Sequence, residues 1–340
     1  MMSKDIQQVV VSLVKDLAPR NRDIISRRFG LKNGKKETLE SIGQGYGITR
    51  ERVRQIEEFA LKQLSKSVFT NSGVANYVNW ARDLIDSKGG VVKEKNLFKS
   101  FSGQEADTSA NASLLFVLSV DGSLARSPEN DEFNAFWSSN SEKLNSFKNT
   151  MALLTKALEK NSGVVPAGDL PSFAKNNSID NLDTCLSVSK TISKNIFDEV
   201  GLVSWPEVKP RGVKDKAYLV LKKAKSPKHF GDIAKLINEV SFSNKKANVQ
   251  TVHNELIKDG RFVLVGRGMY ALSEWGYSSG TVKDVLVNIL KKSQKPLAKA
   301  SLVAKVMDAR MVKENTILLN LQDSKTFSKK EDGTYTLRKA

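Results

Sequence analysis

The stretch that decides the fold runs through residues 38–57 and reads Thr38-Leu-Glu-Ser-Ile-Gly-Gln-Gly-Tyr-Gly-Ile-Thr-Arg-Glu-Arg-Val-Arg-Gln-Ile-Glu57. Thr38 is suited to cap a first helix, because its hydroxyl can accept a hydrogen bond from an unpaired backbone N–H. Gly47 suits the left-handed conformation that ends a helix, and Thr49 can cap a second helix directly after the turn. The stretch therefore predicts a helix-turn-helix.

The second helix has one polar face and one apolar face. Arg50, Glu51, Arg54 and Gln55 lie on the polar face. Arg pairs bidentately with guanine, Gln pairs with adenine, and Glu accepts from the cytosine amino group, so this face suits the major groove of DNA. A run of charges alone more often marks a solvated helix face, but the caps, the glycine turn and the order of the helices favour a recognition helix. The apolar face consists of Val53, Ile56, Ala60, Leu61 and Leu64.

Residues 17–66 resemble region 4 of the sigma-70-type transcription initiation factors. The resemblance is carried by Arg27-Arg28-Phe29-Gly30-Leu31, by Thr38-Leu-Glu40 and by Thr49-Arg-Glu-Arg-Val-Arg-Gln-Ile-Glu57. It implies binding to promoter DNA at the −35 element and to the RNA polymerase core, through the flap of the β subunit. The base-contacting residues that it implies are Arg50, Glu51, Arg54 and Gln55. The residues expected to contact DNA phosphates in this region are Arg20, Arg28, Thr38 and Arg52.

The segment before this motif predicts one amphipathic helix, whose apolar face consists of Ile6, Val9, Val10, Leu13, Val14 and Leu17. A housekeeping sigma factor carries an aromatic-rich promoter-melting region before region 4, and no such region fits here. We therefore expect a protein that differs from a complete sigma factor of the ordinary kind.

Charge is distributed unevenly along this chain of 340 residues, whose net charge is +17. Residues 1–70 hold 14 Lys/Arg against 8 Asp/Glu, residues 71–205 hold 13 against 16, and residues 206–340 hold 27 against 13. The two basic ends favour DNA contact, since lysine and arginine bind phosphates with release of counterions. An anionic membrane surface ranks below DNA, because the sequence shows no strongly amphipathic basic helix of the membrane-binding type.

The last third of the chain contains an internal duplication. Each copy predicts three helices followed by a two-stranded hairpin, which is a winged-helix unit. The basic hairpin tip at Arg267 is expected to contact a DNA phosphate, although a plain solvated turn explains it equally well. At an offset of 65 residues, Thr251, Leu256, Phe262, Gly268, Tyr270 and Leu272 recur as Thr316, Leu321, Phe327, Gly333, Tyr335 and Leu337.

Residues 206–275 resemble the HARE-HTH family, a winged-helix-like domain found in the delta subunit of some bacterial RNA polymerases and in fusions with DNA-acting enzymes. The resemblance is carried by Pro227-Lys-His-Phe-Gly-Asp-Ile-Ala234, Thr251-Val-His-Asn-Glu-Leu256 and Gly268-Met-Tyr-Ala-Leu272. It implies attachment to the transcription machinery or to DNA. Two weaker units of similar kind are predicted before it. Trp137, Trp205 and Trp275 lie near the ends of three successive units, and we interpret them as core residues rather than base-stacking platforms.

The sequence shows no pattern that requires a catalyst, a metal or a cofactor. Cys185 is the only cysteine, and His229 and His253 are the only histidines, so a metal cage is not expected. We expect His229 to pack or to cap a helix. Phosphate-binding glycine loops and nucleophile–base arrangements are also missing from the sequence pattern. No apolar run reaches the roughly 18 residues of a membrane span, and a signal peptide is not evident. A non-enzymatic, cytoplasmic and nucleoid-associated protein is therefore expected.

Together these observations predict a mainly α, multidomain protein. The expected function is a DNA-binding transcription initiation factor that reads a −35-type promoter element and contacts RNA polymerase. Two alternatives without promoter recognition remain: a polymerase-associated interaction protein, and a sequence-indifferent DNA-binding accessory protein. The expected domains are a sigma region 4-like helix-turn-helix over 1–70, winged-helix-like units over 73–137 and 147–205, a HARE-HTH winged helix over 206–276 and a second winged-helix repeat over 280–340.

Overall fold

The computed structural model describes residues 2–68, 72–242 and 244–338. The predicted domain limits at residues 1, 70 and 340 lie outside these ranges. The described residues are mainly helical, as the sequence predicted. They form two compact units. The first contains the residues up to Lys194 together with Asp198–Val203, and the second contains Asn195–Phe197 and the residues from Ser204 onward.

The first four helices contain the predicted helix-turn-helix. Thr38 Oγ1 accepts a hydrogen bond from the amide of Ser41 at 3.1 Å, and Thr49 Oγ1 accepts from the amide of Arg52 at 3.2 Å. Both predicted caps are therefore confirmed. Gly47 ends the first helix of the motif with a φ of 64°, a conformation that costs glycine little. The four helices are α1 (Met2–Val14), α2 (Pro19–Phe29), α3 (Leu39–Tyr46) and α4 (Arg50–Val68).

A small core holds α3 against α4 and sets the rotation of α4 about its axis. Ile24, Ile42 and Val53 are fully buried in this core, and Ile48 in the turn packs against them. The predicted apolar face of α4 is confirmed, because Val53, Ala60 and Leu64 are buried and Ile56 and Leu61 are partly buried. The opposite face of α4 is exposed to solvent.

Four modules follow, and each has the same order of elements: a helix, a short strand, two helices and two strands. Module 1 consists of α5 (Ser72–Ser87), β1 (Val91–Lys93), α6 (Glu94–Ser102), α7 (Ser109–Asp121), β2 (Ala125–Ser127) and β3 (Phe136–Ser138). Module 2 consists of α8 (Ser141–Asn161), β4 (Val165–Pro166), α9 (Leu170–Asn176), α10 (Leu182–Val188), β5 (Ile192–Lys194) and β6 (Glu199–Leu202).

Modules 3 and 4 lie in the second unit and correspond to the two copies of the duplication. Module 3 consists of α11 (Val213–Ala224), β7 (Lys228–His229), α12 (Phe230–Val240), α13 (Val249–Lys258), β8 (Phe262–Gly266) and β9 (Met269–Leu272). Module 4 consists of α14 (Val282–Ser293), β10 (Leu297–Ala298), α15 (Lys299–Ala309), α16 (Glu314–Leu321), β11 (Phe327–Lys329) and β12 (Thr334–Leu337).

Each module contains a three-stranded antiparallel sheet in which the last strand lies in the middle. The strand orders are β1-β3-β2, β4-β6-β5, β7-β9-β8 and β10-β12-β11. The sequence predicted only a two-stranded hairpin for each copy of the duplication, so the first strand is a correction. That strand has only two or three residues, which is too short for an alternating pattern to show in the sequence.

One hydrophobic core joins the helix-turn-helix to module 1. Helix α7 is its centre, and it is apolar and buried on nearly every side. Phe116 of α7 meets Phe29 of α2 edge-on at a centroid distance of 5.1 Å. Trp137 is 1% exposed and belongs to this core, in accord with its predicted role as a core residue. The other helices that line this core are α1, α2, α4, α5 and α6.

Modules 3 and 4 have separate hydrophobic cores and are joined by hydrogen bonds to the backbone of β8. The amide of Met311 donates to the carbonyl of Val265 at 3.0 Å, and Nη2 of Arg310 donates to the carbonyl of Leu264 at 3.1 Å. The segment after α15 therefore runs along the edge strand β8 of module 3. Arg310 is 6% exposed, and this burial lowers the pKa of its guanidinium.

Candidate nucleic-acid interface

The polar face of α4 is open to solvent. The side chains of Arg50, Glu51, Arg54 and Gln55 are all exposed, whereas Val53 between them is fully buried. Residues four apart lie on the same face of a helix, so these four side chains form one patch, termed the reading face. The reading face occupies the first two turns of α4, where a recognition helix meets base edges.

Two carboxylates hold Arg54 on this face. Its Nη2 lies 2.7 Å from Glu51 Oε1, its Nε lies 3.0 Å from Glu51 Oε2, and its Nη1 pairs with Glu58. The hydrogen bond from Arg54 lowers the pKa of the Glu51 carboxyl and raises that of the guanidinium. All three side chains are exposed, so solvent and salt screen these pairs. A further ligand of the Arg54 guanidinium would compete with these two carboxylates.

Hydrogen bonds connect Glu51, Arg54 and Gln55 of the reading face with their neighbours on α4. Nη1 of Arg52 donates to Oε1 of Gln55 at 3.1 Å. A hydrogen bond from Gln55 also lowers the pKa of Glu51, after the larger effect of Arg54. Glu58 also belongs to this network and was not predicted from the sequence. The four-residue spacing between Arg54 and Glu58 is the signal that could have revealed it.

Arg28, one of the residues expected to contact phosphate, also has partners within the helix-turn-helix region. Its Nε lies 3.2 Å from Glu57 Oε2, and its Nη1 donates to the carbonyl of Glu37 at 3.1 Å. These contacts tie α2 to α4, and 34% of the Arg28 side chain stays exposed. The neighbouring Arg27 binds the Glu37 carboxylate with two hydrogen bonds of 3.0 and 2.7 Å, which lower the pKa of Glu37.

Arg20 and Thr38 are exposed beside the motif. The guanidinium of Arg20 lies over the ring of Tyr46, 5.3 Å from its centroid, and the Tyr46 hydroxyl donates to Asp23 at 2.8 Å. This contact limits the positions that the Arg20 guanidinium can take. The Thr38 hydroxyl uses its oxygen as an acceptor for the cap of α3, so its hydrogen can still be donated to a phosphate. Arg52 is exposed on α4.

Arg267 belongs to the second unit and is exposed at the tip of the β8–β9 hairpin. Gly268 beside it has a φ of 71°, and a Cβ there would lie 2.5 Å from Nε2 of His229. Nδ1 of His229 accepts from the amide of Gly231 at 3.2 Å and caps α12, which confirms the predicted capping role. The structure thus places the other candidates in the helix-turn-helix region, on α2, on α4 and at the start of α3. Arg267 lies on the hairpin turn of module 3.

In the described ranges, no group of three or more His, Cys, Asp or Glu side chains could hold a metal ion. Cys185 is buried as a free thiol, and burial raises its pKa to about 11, which disfavours the reactive thiolate. Among these residues, no helix is long and apolar enough to cross a membrane.

Comparison with known proteins gives the helix-turn-helix a family. Residues 13–66 match the model for sigma-70, region 4. The RNA polymerase sigma factor SigA of Nostoc sp. strain PCC 7120 is 45% identical over 64 residues, which are 19% of this chain and 15% of SigA. SigA1 of Synechococcus elongatus is 44% identical over 59 residues, 17% of this chain and 15% of that protein. The principal sigma factor HrdD of Streptomyces coelicolor is 46% identical over 54 residues, 16% of each chain.

These matches identify residues 13–66 as a sigma-70 region 4 domain, which confirms the first resemblance. They support a sigma-factor-like, DNA-binding role for this part of the chain. The chain spans about 15% of the length of the curated relatives it matches. The matched region contains the whole reading face.

Proposed function

We propose that this protein is a DNA-binding transcription initiation factor whose helix-turn-helix reads a −35-type promoter element. The observation that carries the proposal is the reading face, in which Arg50, Glu51, Arg54 and Gln55 are exposed together on α4 of a sigma-70 region 4 domain. In the proposed complex these four side chains contact bases, and Arg20, Arg28, Thr38 and Arg52 contact phosphates. No catalytic step, metal or cofactor enters this function.

We propose further that the four modules are winged helices that add contacts to DNA or to polymerase. Their shared order of three helices and three strands supports this assignment. Module 3 has the HARE-HTH resemblance, and the basic tip at Arg267 is its proposed phosphate contact. Residues 206–340 hold 27 Lys/Arg against 13 Asp/Glu, which suits a phosphate backbone. The proposed location is the cytoplasm, on the nucleoid.

Contact with the RNA polymerase core, through the β-subunit flap, is also part of the proposal. The shared core limits how such a contact can form. Helices α1, α2 and α4 place apolar side chains against α7, so this face of the domain is already covered within the chain. A polymerase segment that docks on the domain must therefore use another surface or displace α7, and displacement would expose the buried Phe116.

Fluorescence anisotropy with two DNA duplexes tests the reading face. One duplex carries a −35-like element and the other has the same base composition in scrambled order. We expect the full chain to prefer the element, and Arg54→Ala to reduce that preference by about 1–3 kcal/mol for the lost guanine contact. Lys62→Ala is the matched control, since it removes an exposed cation from the later turns of the same helix.

The control should weaken binding to both duplexes equally. An Arg54→Ala chain that prefers the element as strongly as the wild type would contradict promoter reading by α4. Equal binding of both duplexes by the wild-type chain would instead favour a sequence-indifferent accessory protein. Retention of RNA polymerase from nuclease-treated lysate, without DNA preference, would favour the interaction protein.

A further inference from the structure

Helix α13 of module 3 exposes a pair of amide side chains. Gln250 and Asn254 lie one turn apart on the solvent side of the helix, and Nε2 of Gln250 donates to Oδ1 of Asn254 at 3.1 Å. One hydrogen bond between two amides leaves an acceptor oxygen on one and a donor nitrogen on the other. Val249 and Ile257 flank the pair and are 45% and 63% exposed. This surface, made of Val249, Gln250, Asn254 and Ile257, is termed the amide face.

Module 3 exposes basic side chains near both ends of α13 and on the hairpin turn. Lys246 precedes α13, Lys258 ends it, and Arg267 occupies the hairpin tip, all of them exposed. A stack of aromatic rings packs beside α13 in the same module. Phe230 lies between His229 and His253, with centroid distances of 4.2 and 4.3 Å. The stack connects the start of α12 with α13, and His229 also meets Gly268 in the hairpin turn. Polar recognition groups and phosphate-binding groups are therefore held on one module.

Module 4 has a different surface at the equivalent positions. Leu319, which is 66% exposed, replaces Asn254 at the offset of 65 residues, so the amide pair is absent there. Glu314 stands in place of Val249. Asp323 stands in place of Lys258 and pairs with Lys283 at 2.5 Å. Glu314 is exposed at the start of α16, where module 3 has an apolar side chain. The two copies have thus kept the same fold with different surface chemistry.

We infer that the amide face of module 3 is a second DNA-reading site, which recognises adenine in the major groove of duplex DNA. Glutamine and asparagine amides pair with adenine through its N6 donor and N7 acceptor, and apolar groups contact the thymine methyl. The exposed Val249 and Ile257 suit that methyl, so the expected target contains A·T pairs. The inference extends the proposed DNA-binding function, but it rests on residues outside the region 4 domain.

Duplex DNA fits this surface better than duplex RNA. The amide face lies on a helix, and a helix enters the major groove of B-form DNA. The major groove of A-form RNA is deep and too narrow for side chains to read. Arg267 and the lysines provide the contacts with the phosphates, which carry no sequence information.

Selection from a random-sequence DNA duplex library tests the inference with the full chain. We expect the wild type to enrich two elements, one of the −35 type and one with A·T pairs. The double variant Gln250→Ala/Asn254→Ala should lose the A·T element and keep the other. On the most enriched duplex it should bind at least tenfold more weakly by anisotropy, the factor that corresponds to about 1.4 kcal/mol. The matched control is Asn315→Ala/Leu319→Ala, which changes the equivalent positions of module 4 and should keep both elements.

Enrichment of the same sequences by the wild type and the Gln250→Ala/Asn254→Ala variant would overturn the inference. Equal competition by an RNA duplex of the selected sequence would overturn it too. Both amides are exposed, so circular dichroism and the thermal midpoint should not change in the variant. Arg54→Ala separates the two claims. If that variant loses only the −35-type element, the inference about the amide face stands. If the wild type enriches the A·T element but no −35-type element, the proposed function is contradicted and this inference is not.

Discussion

Replacement of Phe116 by alanine tests the core that the helix-turn-helix shares with module 1. Phe116 is fully buried on α7 and contacts Phe29 of α2 edge-on. A Phe→Ala change in a core costs about 3–5 kcal/mol, because apolar contacts are lost and a cavity remains. Since α7 packs against α1, α2 and α4, we expect this cost to fall on the helix-turn-helix as well. The unfolded population of α4 should then rise by roughly two to four orders of magnitude.

Native-state amide hydrogen exchange, read by mass spectrometry on the full chain, measures this coupling. Peptides from α4 and α7 should lose protection together in Phe116→Ala, because cooperative units of structure open as one. The matched control is Phe327→Ala, the same substitution at a position that is 3% exposed in the core of module 4. It should leave α4 unchanged. If α4 kept its wild-type protection while α7 lost its own, the shared-core reasoning would be refuted.

Two further predictions concern individual contacts. Gly34→Ala should lower the thermal midpoint more than Gly103→Ala does. Both glycines have positive φ, but a Cβ on Gly34 would lie 2.1 Å from the carbonyl oxygen of Asp107, whereas Gly103 faces open space; equal shifts would mean that backbone strain alone acts. The hydrogen bond from Lys283, together with a smaller effect of the Thr326 hydroxyl, lowers the pKa of Asp323 to about 2, so the charged carboxylate stabilises module 4 above about pH 4 and loses this effect as pH falls toward 2. Lys283→Met should return the NMR titration midpoint of the Asp323 carboxyl toward its ordinary value, and a midpoint that stays near 2 would exclude this pairing as the cause.

The helix-turn-helix could be predicted from the sequence because its determinants are local. The caps at Thr38 and Thr49 and the turn at Gly47 each depend on contacts within a few residues. The buried face of α4 follows from the helical period alone. The duplication was readable for a similar reason, since repeated residues indicate a repeated fold without any knowledge of its contacts. The first strand of each module could not be predicted, because two or three residues are too few to show an alternating pattern or a capping motif.

The partner of α7 could not be predicted, although its burial could. An amphipathic helix shows which side faces the core, but α7 reads Ser-Ala-Asn-Ala-Ser-Leu-Leu-Phe-Val-Leu-Ser-Val-Asp121 and has no distinct polar face. Such a sequence indicates a central helix and says nothing about which elements surround it. Phe29 and Phe116 meet across 87 residues of chain, and that contact is a property of the tertiary fold.

For the reading face, the sequence predicted which residues are exposed but not the ion pairs that they form. All four candidate side chains lie where the sequence placed them, but Arg54 is already paired with Glu51 and Glu58. In the proposed complex, a guanine contact by Arg54 would therefore compete with these two carboxylates. The exposed Glu58 carboxylate also adds a negative charge to α4, and this charge disfavours the approach of DNA of any sequence. Removing that charge with Glu58→Gln should consequently strengthen binding to every duplex, while discrimination between bases stays with Arg54.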